Sequence, residues 1–221
     1  MLFFQRNGDF FMDYVKILMK CTLFRGMTEA EITELAACGA LYTKKFNKNE
    51  MIWNMGDEIK AIGVMISGGV RIETQDYWGN RTILARAEAG DMFGEAFYCA
   101  KVKSLPVFVC SDSASTVAFL DVNRVENRQF LQNLPLVLAR KNIMLTGKIE
   151  HIARRTTREK VLSYLSSEAA KCGKHTFVIP FNRQELADYL AVDRSALSAE
   201  LSKLRKEGVL DFKKNRFSLL E

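Results

Sequence analysis

Near the carboxyl end of the sequence, a few basic and hydroxyl side chains have the types and spacing that suit reading of a DNA duplex. Residues 182–208 read NRQELADYLAVDRSALSAELSKLRKEG, and Arg194, Ser195 and Ser198 fall on the outward side of a predicted helix. The fork of an arginine bonds both acceptors on the major-groove edge of guanine, and serine hydroxyls bond several bases. Arg194 is therefore the strongest candidate for reading a base.

A second group of basic residues surrounds this helix. Contacts to phosphate hold a protein in place on DNA but do not read its sequence. We expect that role for residues on the flanking helix, the far end of the same helix and a basic turn. The predicted phosphate contacts are Arg183, Lys203, Lys213, Lys214 and Arg216.

The excess of positive charge lies in the same part of the chain. The net charge is +6, and the sequence from Lys148 onward holds 15 Lys and Arg against 10 Asp and Glu. The first 147 residues hold 17 and 16. A basic carboxyl-terminal third fits a nucleic-acid-binding module, although a solvated basic face has the same composition.

Two short helices must position these side chains. Asn182 and Glu185 have the spacing of a capping box that opens a helix to about Leu190. Asp193 caps a second helix, and the intervening AVD segment is a short turn, which is the architecture of a helix-turn-helix. A strand hairpin around the turn KKNR follows and predicts a wing. The residues predicted to face inward are Leu186, Ala187, Leu190, Leu197, Leu201 and Leu204.

The middle of the sequence has the pattern of an antiparallel β domain. Between Leu41 and Asp121, short alternating apolar runs are separated by turn clusters such as Gly68-Gly69 and Gly90-Asp91. Strands at this spacing predict a sandwich or barrel.

A long helix is predicted between the β domain and the helix-turn-helix. Leu138, Leu145 and Ile152 are seven residues apart, and Asn142 and Ile149 fill the positions between them. This is the spacing of a coiled-coil seam, although a helix facing the core of its own domain shows the same stripe. The polar Asn142 favours a parallel dimer, in which such a residue specifies register.

The β domain, the long helix and the segment RQELADYLAVDRSALSAELSKLRKEG together resemble the Crp/Fnr family of bacterial transcription regulators. The resemblance covers almost the whole chain. It implies an α+β fold in three parts: an antiparallel β-roll (a cupin-like jelly roll) that senses an effector at residues 1–131, a dimerisation helix at 132–157, and a winged helix-turn-helix at 158–221. The implied partners are an inverted-repeat DNA operator, a second copy of the chain and RNA polymerase.

The resemblance also assigns roles within the DNA-binding motif. It implies that Gln184 joins the phosphate contacts at the start of the first helix, and that Ala199 is base-facing together with Arg194, Ser195 and Ser198. Many members carry Glu at the position of Ser195 and Arg at that of Ala199. We therefore expect an operator that differs from the best-known consensus of the family.

The segment GDMFGE at residues 90–95 resembles the phosphate-binding cassette of cyclic-AMP binders, in which Glu95 matches the residue that holds ribose. Ten residues later those proteins carry an Arg-Ser pair, and this sequence has Leu105-Pro106. A buried phosphate without a paired cation is unfavourable. We therefore expect an unknown small-molecule effector rather than cyclic AMP, and no cofactor. Arg86, Lys101 and Lys103 could supply the missing cation, but we expect them to be solvated. The predicted pocket residues are Gly94, Glu95, Leu105, Pro106, Ile143 and Met144.

Three alternatives remain open. The first is a redox-responsive regulator that acts through Cys99 and Cys110, although Lys101 is the one basic neighbour of either thiol. The second is a β-barrel enzyme with an accessory domain, although the sequence contains no catalytic constellation and no metal-ligand spacing. The third is a sensing module that does not contact DNA. Most of the five cysteines are expected to be buried. The N-terminal residues lack a signal-peptide pattern and no apolar run is long enough to span a membrane, so we expect a cytoplasmic protein.

Overall fold

The apolar runs between residues 41 and 120 form eight strands of two antiparallel sheets. The computed structural model describes residues 8–79 and 81–220, so residues 1–7 of the predicted sensing domain lie outside the described residues. One sheet has the strand order β1-β8-β3-β6 and the other β2-β7-β4-β5. The strands are β1 (Leu41–Phe46), β2 (Met51–Trp53), β3 (Ile62–Ser67), β4 (Gly69–Gln75), β5 (Arg81–Glu88), β6 (Met92–Phe93), β7 (Phe108–Ser111) and β8 (Ser115–Leu120).

The first sheet is covered on both faces, which explains its nearly continuous apolar strands. Every residue of β8 is buried, and so are the first five of β3. On one face, side chains such as Ile62 and Leu120 pack against helices. On the other face, Met65 and Val117 pack against the second sheet. This two-layered roll confirms the predicted antiparallel β domain.

Two helices precede the roll and one short helix interrupts it. They are α1 (Gly8–Lys20), α2 (Glu29–Ala37) and α3 (Glu95–Cys99). α2 begins at a capping box, in which the Thr28 hydroxyl accepts a hydrogen bond from the Glu31 N–H and the Glu31 carboxylate accepts one from the Thr28 N–H. Val15, Leu18 and Ile32 bury the two helices against the first sheet.

The long helix α4 (Arg128–Ile152) begins and ends earlier than the predicted range of 132–157. Asn127 caps it by accepting a hydrogen bond from the Phe130 N–H at 3.0 Å. Pro135 lies inside the helix. The cost of a proline within a helix is offset here because Phe130 and Val137 on either side of it are buried in the core.

The chain divides into two compact units within α4, at Met1–Ala139 and Arg140–Glu221. The division differs from the predicted boundaries at the two ends of this helix. The first half of α4 packs into the core of the roll, and its last turn, at His151, contacts helices of the second unit. A single helix therefore contributes to both units.

The second unit contains three helices and a small antiparallel sheet beyond α4. The helices are α5 (Thr157–Cys172), α6 (Arg183–Leu190) and α7 (Arg194–Lys206), and the sheet order is β10-β11-β9. The strands are β9 (Thr176–Val178), β10 (Leu210–Lys213) and β11 (Arg216–Leu219). This arrangement confirms the predicted winged helix-turn-helix and with it the α+β fold class. Its core contains Val161, Leu165, Phe177, Leu186, Leu190, Leu197, Leu201, Leu204 and Phe217.

Candidate nucleic-acid interface

The first helix of the motif begins with the predicted capping box. The Asn182 side chain accepts hydrogen bonds from the N–H groups of Gln184 (2.9 Å) and Glu185 (3.0 Å). The Glu185 carboxylate accepts one from the Asn182 N–H at 2.6 Å. These bonds satisfy N–H groups that have no partner within the helix. The capping prediction is confirmed, and it fixes the start of α6 at Arg183.

The turn between α6 and α7 depends on one left-handed residue. Ala191 has φ +51°, a conformation that costs a residue with a side chain about 1–2 kcal/mol. Lys160 of α5 donates from Nζ to the carbonyl oxygens of Leu190 and Ala191, at 3.3 Å each. A cation at these carbonyls stabilises the end of α6 and holds the turn.

Asp193 begins the second helix. Its carboxylate accepts hydrogen bonds from the N–H groups of Ser195 (2.7 Å) and Ala196 (3.1 Å), and also from the Ser195 hydroxyl. The Ser195 hydroxyl, followed by these two N–H groups, lowers the pKa of Asp193. The predicted cap is confirmed, and α7 begins at Arg194.

Burial of one stripe of α7 determines which side chains face outward. Leu197, Leu201 and Leu204 are fully buried in the core of the second unit. The side chains on the other side of the helix are exposed, and contact between them and DNA stays a prediction. The predicted base contacts, all exposed, are Arg194, Ser195, Ser198 and Ala199.

The two serines of this surface already use their hydroxyl protons. The Ser198 hydroxyl donates to the Arg194 carbonyl at 2.9 Å, and the Ser195 hydroxyl donates to Asp193. Each oxygen keeps acceptor capacity. In this arrangement the serines suit the amino groups of adenine or cytosine. Among the described residues, no carboxylate forms a salt bridge with Arg194, and its guanidinium is exposed.

The wing presents a compact basic turn. β10 and β11 pair antiparallel and are joined by Lys214 and Asn215, with Lys214 in a left-handed conformation at φ +56°. The Asn215 side chain donates to the Ile179 carbonyl at 3.1 Å and anchors the turn. Of the predicted phosphate contacts, Gln184, Lys203, Lys213, Lys214 and Arg216 are exposed.

Arg183 differs from the other predicted phosphate contacts because aromatic rings cover it. Its guanidinium carbon lies 4.9 Å from the ring centre of Phe212 and 5.9 Å from that of Phe217, both in the wing. Burial lowers the pKa of Arg183. The geometry therefore favours a role in holding the wing against α6 over a direct phosphate contact.

A cleft of ≈ 480 Å³ lies between the start of α6 and the wing turn. The amide and cationic groups that line it suit a negatively charged partner, whereas Glu185 is already engaged in the capping box. This cleft continues the basic surface of the wing. Its lining residues are Pro180, Asn182, Arg183, Glu185, Lys214 and Asn215.

Sequence reasoning missed two cations in the first turn of α5. Lys160 holds the turn of the motif, and Arg158 forms salt bridges with Glu200 of α7 and with Glu207, which directly follows α7. The available signal was weak: two acidic residues seven positions apart on an otherwise basic helix. Nothing local in the sequence pairs them with Arg158.

The predicted dimer seam on α4 is exposed over most of its length. Asn142, Leu145 and Ile149 are exposed, and Ile152 is half-buried. Leu138 packs partly against the core of the first unit, so it serves that core as well. Dimerisation itself stays a prediction.

The residues of the predicted effector pocket divide between the two units. Gly94 precedes α3 with φ +78°, and a Cβ there would lie 2.6 Å from the Trp53 ring, so the position requires glycine. Glu95 is the first residue of α3 and is buried. Ile143 and Met144 belong to the second unit, where both are exposed on α4.

Leu105 and Pro106, which replace the Arg-Ser pair, have different environments. Leu105 is buried in an apolar cluster with Ile59 and Val107, and Pro106 is exposed. The Leu105 position therefore offers hydrocarbon where a phosphate would need a cation. Arg86, Lys101 and Lys103 are all exposed, as expected, and the Arg86 guanidinium also forms a salt bridge with Asp112.

The cysteines are less buried than expected. Cys21 and Cys110 are buried, whereas Cys38, Cys99 and Cys172 are exposed. Although Cys99 is exposed as a residue, partial burial of its thiol and the nearby Glu95 carboxylate raise the pKa of Cys99, and this lowers the thiolate fraction needed for redox chemistry. Lys101, which is two residues away in sequence, does not reverse this effect.

Within residues 8–79 and 81–220, no group of three or more His, Cys, Asp or Glu side chains is arranged to hold a metal ion. Among the described helices, none combines the length and apolar character needed to cross a membrane.

Two family models match the chain in the predicted order. The cyclic nucleotide-binding domain matches residues 43–131, and the Crp-like helix-turn-helix domain matches residues 159–221. The first match covers most of the β-roll, and the second covers nearly all of α5, the helix-turn-helix and the wing.

A curated relative and solved structures extend these matches. The transcriptional activatory protein AadR of Rhodopseudomonas palustris is 23% identical over 214 residues, covering 86% of this chain and 87% of AadR. The c-di-GMP responsive global regulator CLP of Xanthomonas campestris has a TM-score of 0.55 at 15% identity, covering 88% of this chain and 100% of CLP. DNR from Pseudomonas aeruginosa has a TM-score of 0.50 at 20% identity, with 93% of each chain covered. The two structures show that the fold is shared.

Proposed function

The chain belongs to the Crp/Fnr family of transcription regulators, and from this premise we propose that it binds an inverted-repeat DNA operator as a homodimer under the control of a small effector. The observation that carries DNA reading is the exposed side of α7, where Arg194 and Ser198 face outward while Leu197 is fully buried. In helix-turn-helix proteins the start of the second helix enters the major groove. We propose a binding function and assign no catalytic role.

In this proposal α7 reads bases and the surrounding cations position the protein. Arg194 bonds guanine, and Ser195, Ser198 and Ala199 complete the base-facing surface. Exposed side chains of α6, of the far end of α7 and of the wing contact the phosphates. These residues are Gln184, Lys203, Lys213, Lys214 and Arg216.

Selection from a pool of random duplexes tests the proposal. A dimer presents two recognition helices, so the recovered sites should be inverted repeats with half-sites about one helical turn, ~34 Å, apart. Affinity for them should fall steeply with salt, because phosphate contacts release counterions. Recovery of no repeated sequence would contradict DNA reading by α7.

We further propose that dimerisation occurs along α4. Leu145 and Ile149 are about 40° apart around the helix, since successive residues advance by ~100°, and both are exposed. Exposed apolar side chains in such a stripe are typical of an interface with another chain. The proposed seam consists of Leu138, Asn142, Leu145, Ile149 and Ile152.

The effector is proposed to bind in the roll near Gly94 and Glu95 without a phosphate anchor. The burial of Leu105 among hydrocarbon side chains supports an apolar or aromatic acid over a cyclic nucleotide. Such an effector controls DNA binding only if it prefers one spacing of the two recognition helices. Native mass spectrometry of freshly purified protein tests for a retained ligand.

We propose RNA polymerase as a further partner. The proposed location is the cytoplasm, where the DNA lies.

A further inference from the structure

One arginine of α5 joins two turns of the proposed recognition helix from behind. Arg158 Nη1 lies 2.6 Å from Glu207 Oε2 and 3.4 Å from Glu200 Oε1. The three side chains are partly shielded, with exposed fractions of 35% for Arg158, 19% for Glu200 and 38% for Glu207. A single guanidinium therefore bridges a carboxylate within α7 and that of Glu207, the residue that directly follows the helix.

Helical geometry places this bridge on the far side of α7 from the base-facing residues. With ~100° per residue, Glu200 and Glu207 lie about 20° apart around the axis. The middle of the base-facing set, residues 194, 195, 198 and 199, is about 160° away from them. Arg158 thus supports α7 without occupying the surface that faces DNA.

The start of α5 is itself held firmly. The Thr156 hydroxyl accepts a hydrogen bond from the Glu159 N–H at 3.2 Å, and the Glu159 carboxylate accepts one from the Thr156 N–H at 3.1 Å. Two residues beyond Arg158, Lys160 bonds the carbonyl groups at the end of α6. The same turn of α5 therefore contacts both helices of the motif.

We propose that Arg158 is a positioning residue for base recognition, and this inference rests on the proposed function. By holding Glu200 and Glu207, Arg158 fixes the angle to which α7 is rotated about its own axis. The buried leucines set how closely α7 packs against the core of the second unit. A single apolar stripe resists rotation of the helix about its own axis only weakly. A bidentate contact from Arg194 to guanine needs a defined approach angle. Both contacts leave from the same nitrogen, Nη1, so a lysine ammonium could make part of this bridge. The ammonium is more strongly hydrated and its flexible side chain loses more freedom per hydrogen bond, so lysine should replace Arg158 only in part.

The contribution of Arg158 to global stability is small, because partly exposed ion pairs are weak. Its loss should instead be seen in recognition and in the local opening of α7. In the full-length protein, Arg158→Met should reduce the affinity ratio between the selected operator and a scrambled duplex by ~5-fold. Arg158→Lys should recover only part of the ratio. Lys171→Met, which removes the exposed cation of an ion pair at the other end of α5, is the matched control and should leave the ratio unchanged.

Amide hydrogen exchange without DNA gives a second readout. Arg158→Met should raise exchange across residues 194–206 by ~5-fold and leave the roll unchanged, whereas Lys171→Met should raise neither. In a double-mutant cycle, Glu207→Gln should add little to the loss caused by Arg158→Met, since the two residues act as a pair. Unchanged exchange in α7, or strictly additive losses, would overturn the inference. If the wild type selects no operator, the proposed function fails, and the exchange data still decide whether Arg158 holds α7.

Discussion

His151 Nδ1 lies 2.9 Å from the Ser163 hydroxyl, and this hydrogen bond joins the last turn of α4 to α5. The imidazole is buried, with its ring 5.7 Å from the Tyr164 ring and 6.4 Å from the Tyr189 ring. Burial lowers the pKa of His151 from its ordinary value near 6.5. The nearby charges act in opposite directions: Glu150 and Glu168 raise the pKa, and Lys171 and Arg154 lower it.

The protein should lose stability as the pH falls below about 6.5. The unfolded chain binds a proton there, whereas the folded chain keeps His151 neutral to a lower pH, so the unfolding free energy declines with acidity. His151→Gln removes this titration and should flatten the profile between pH 5 and pH 7, measured by urea unfolding. His175→Gln, at the exposed second histidine, should keep the wild-type slope. Equal slopes for wild type and His151→Gln would contradict the assignment.

Substitution in the α4 seam should dissociate the dimer. Leu145→Asp places a charge where an apolar contact between chains is proposed, and its desolvation is unfavourable. Ile143→Asp is a sharp control, because Ile143 is also exposed but lies about 160° around the helix from Leu145. Sedimentation velocity at micromolar concentration should show a monomer for Leu145→Asp and a dimer for Ile143→Asp. A monomeric wild type would disprove the seam.

Base reading and phosphate binding should respond differently to mutation. Arg194→Ala should cost about 1–3 kcal/mol on the selected operator and relax the preference at one base in each half-site. Lys214→Ala should lower the affinity for all duplexes alike and reduce the salt dependence of binding by about one unit of slope.

Arg183→Ala should leave the salt slope unchanged and lower the unfolding free energy by about 1 kcal/mol, since its guanidinium packs on aromatic rings. Fluorescence anisotropy across a salt series measures the affinity and salt slope of all three variants, and urea unfolding measures the stability of Arg183→Ala.

The left-handed turn residue offers a stabilising substitution. Ala191→Gly should raise the unfolding free energy by about 0.5–1 kcal/mol, because glycine adopts positive φ without strain and this outweighs its greater freedom when unfolded. Ala196→Gly, at an exposed position within α7, should instead destabilise by about 1 kcal/mol. Chemical denaturation distinguishes them. A loss of stability in both variants would show that Ala191 is not strained.

Cyclic AMP and cyclic GMP should bind weakly or not at all. The buried Leu105 offers no cation to the cyclic phosphate, and an unpaired buried charge is unfavourable by several kcal/mol. Isothermal titration calorimetry of the wild type should detect no saturable binding at micromolar nucleotide. Micromolar affinity would mean that another residue supplies the missing cation.

The start of each helix in the DNA-binding motif was determined by sequence alone, because capping is local. Asn182 and Glu185 are three residues apart, and Asp193 directly precedes the helix that it caps. The inward leucines were equally predictable, since their spacing follows the helical period. These features depend on neighbours within one or two turns, so the order of residues contains them.

The tertiary structure decided the features that join distant segments. Pro135 lies inside α4 because the residues around it pack into the core of the roll. Arg183 is drawn onto Phe212 rather than left in solvent, and Arg158 meets Glu207 across 49 positions of sequence. No local pattern encodes such pairings, because each partner's position depends on how strands and helices pack. The sequence therefore determined which helix is predicted to read DNA, and the packing decided which residues hold that helix in place.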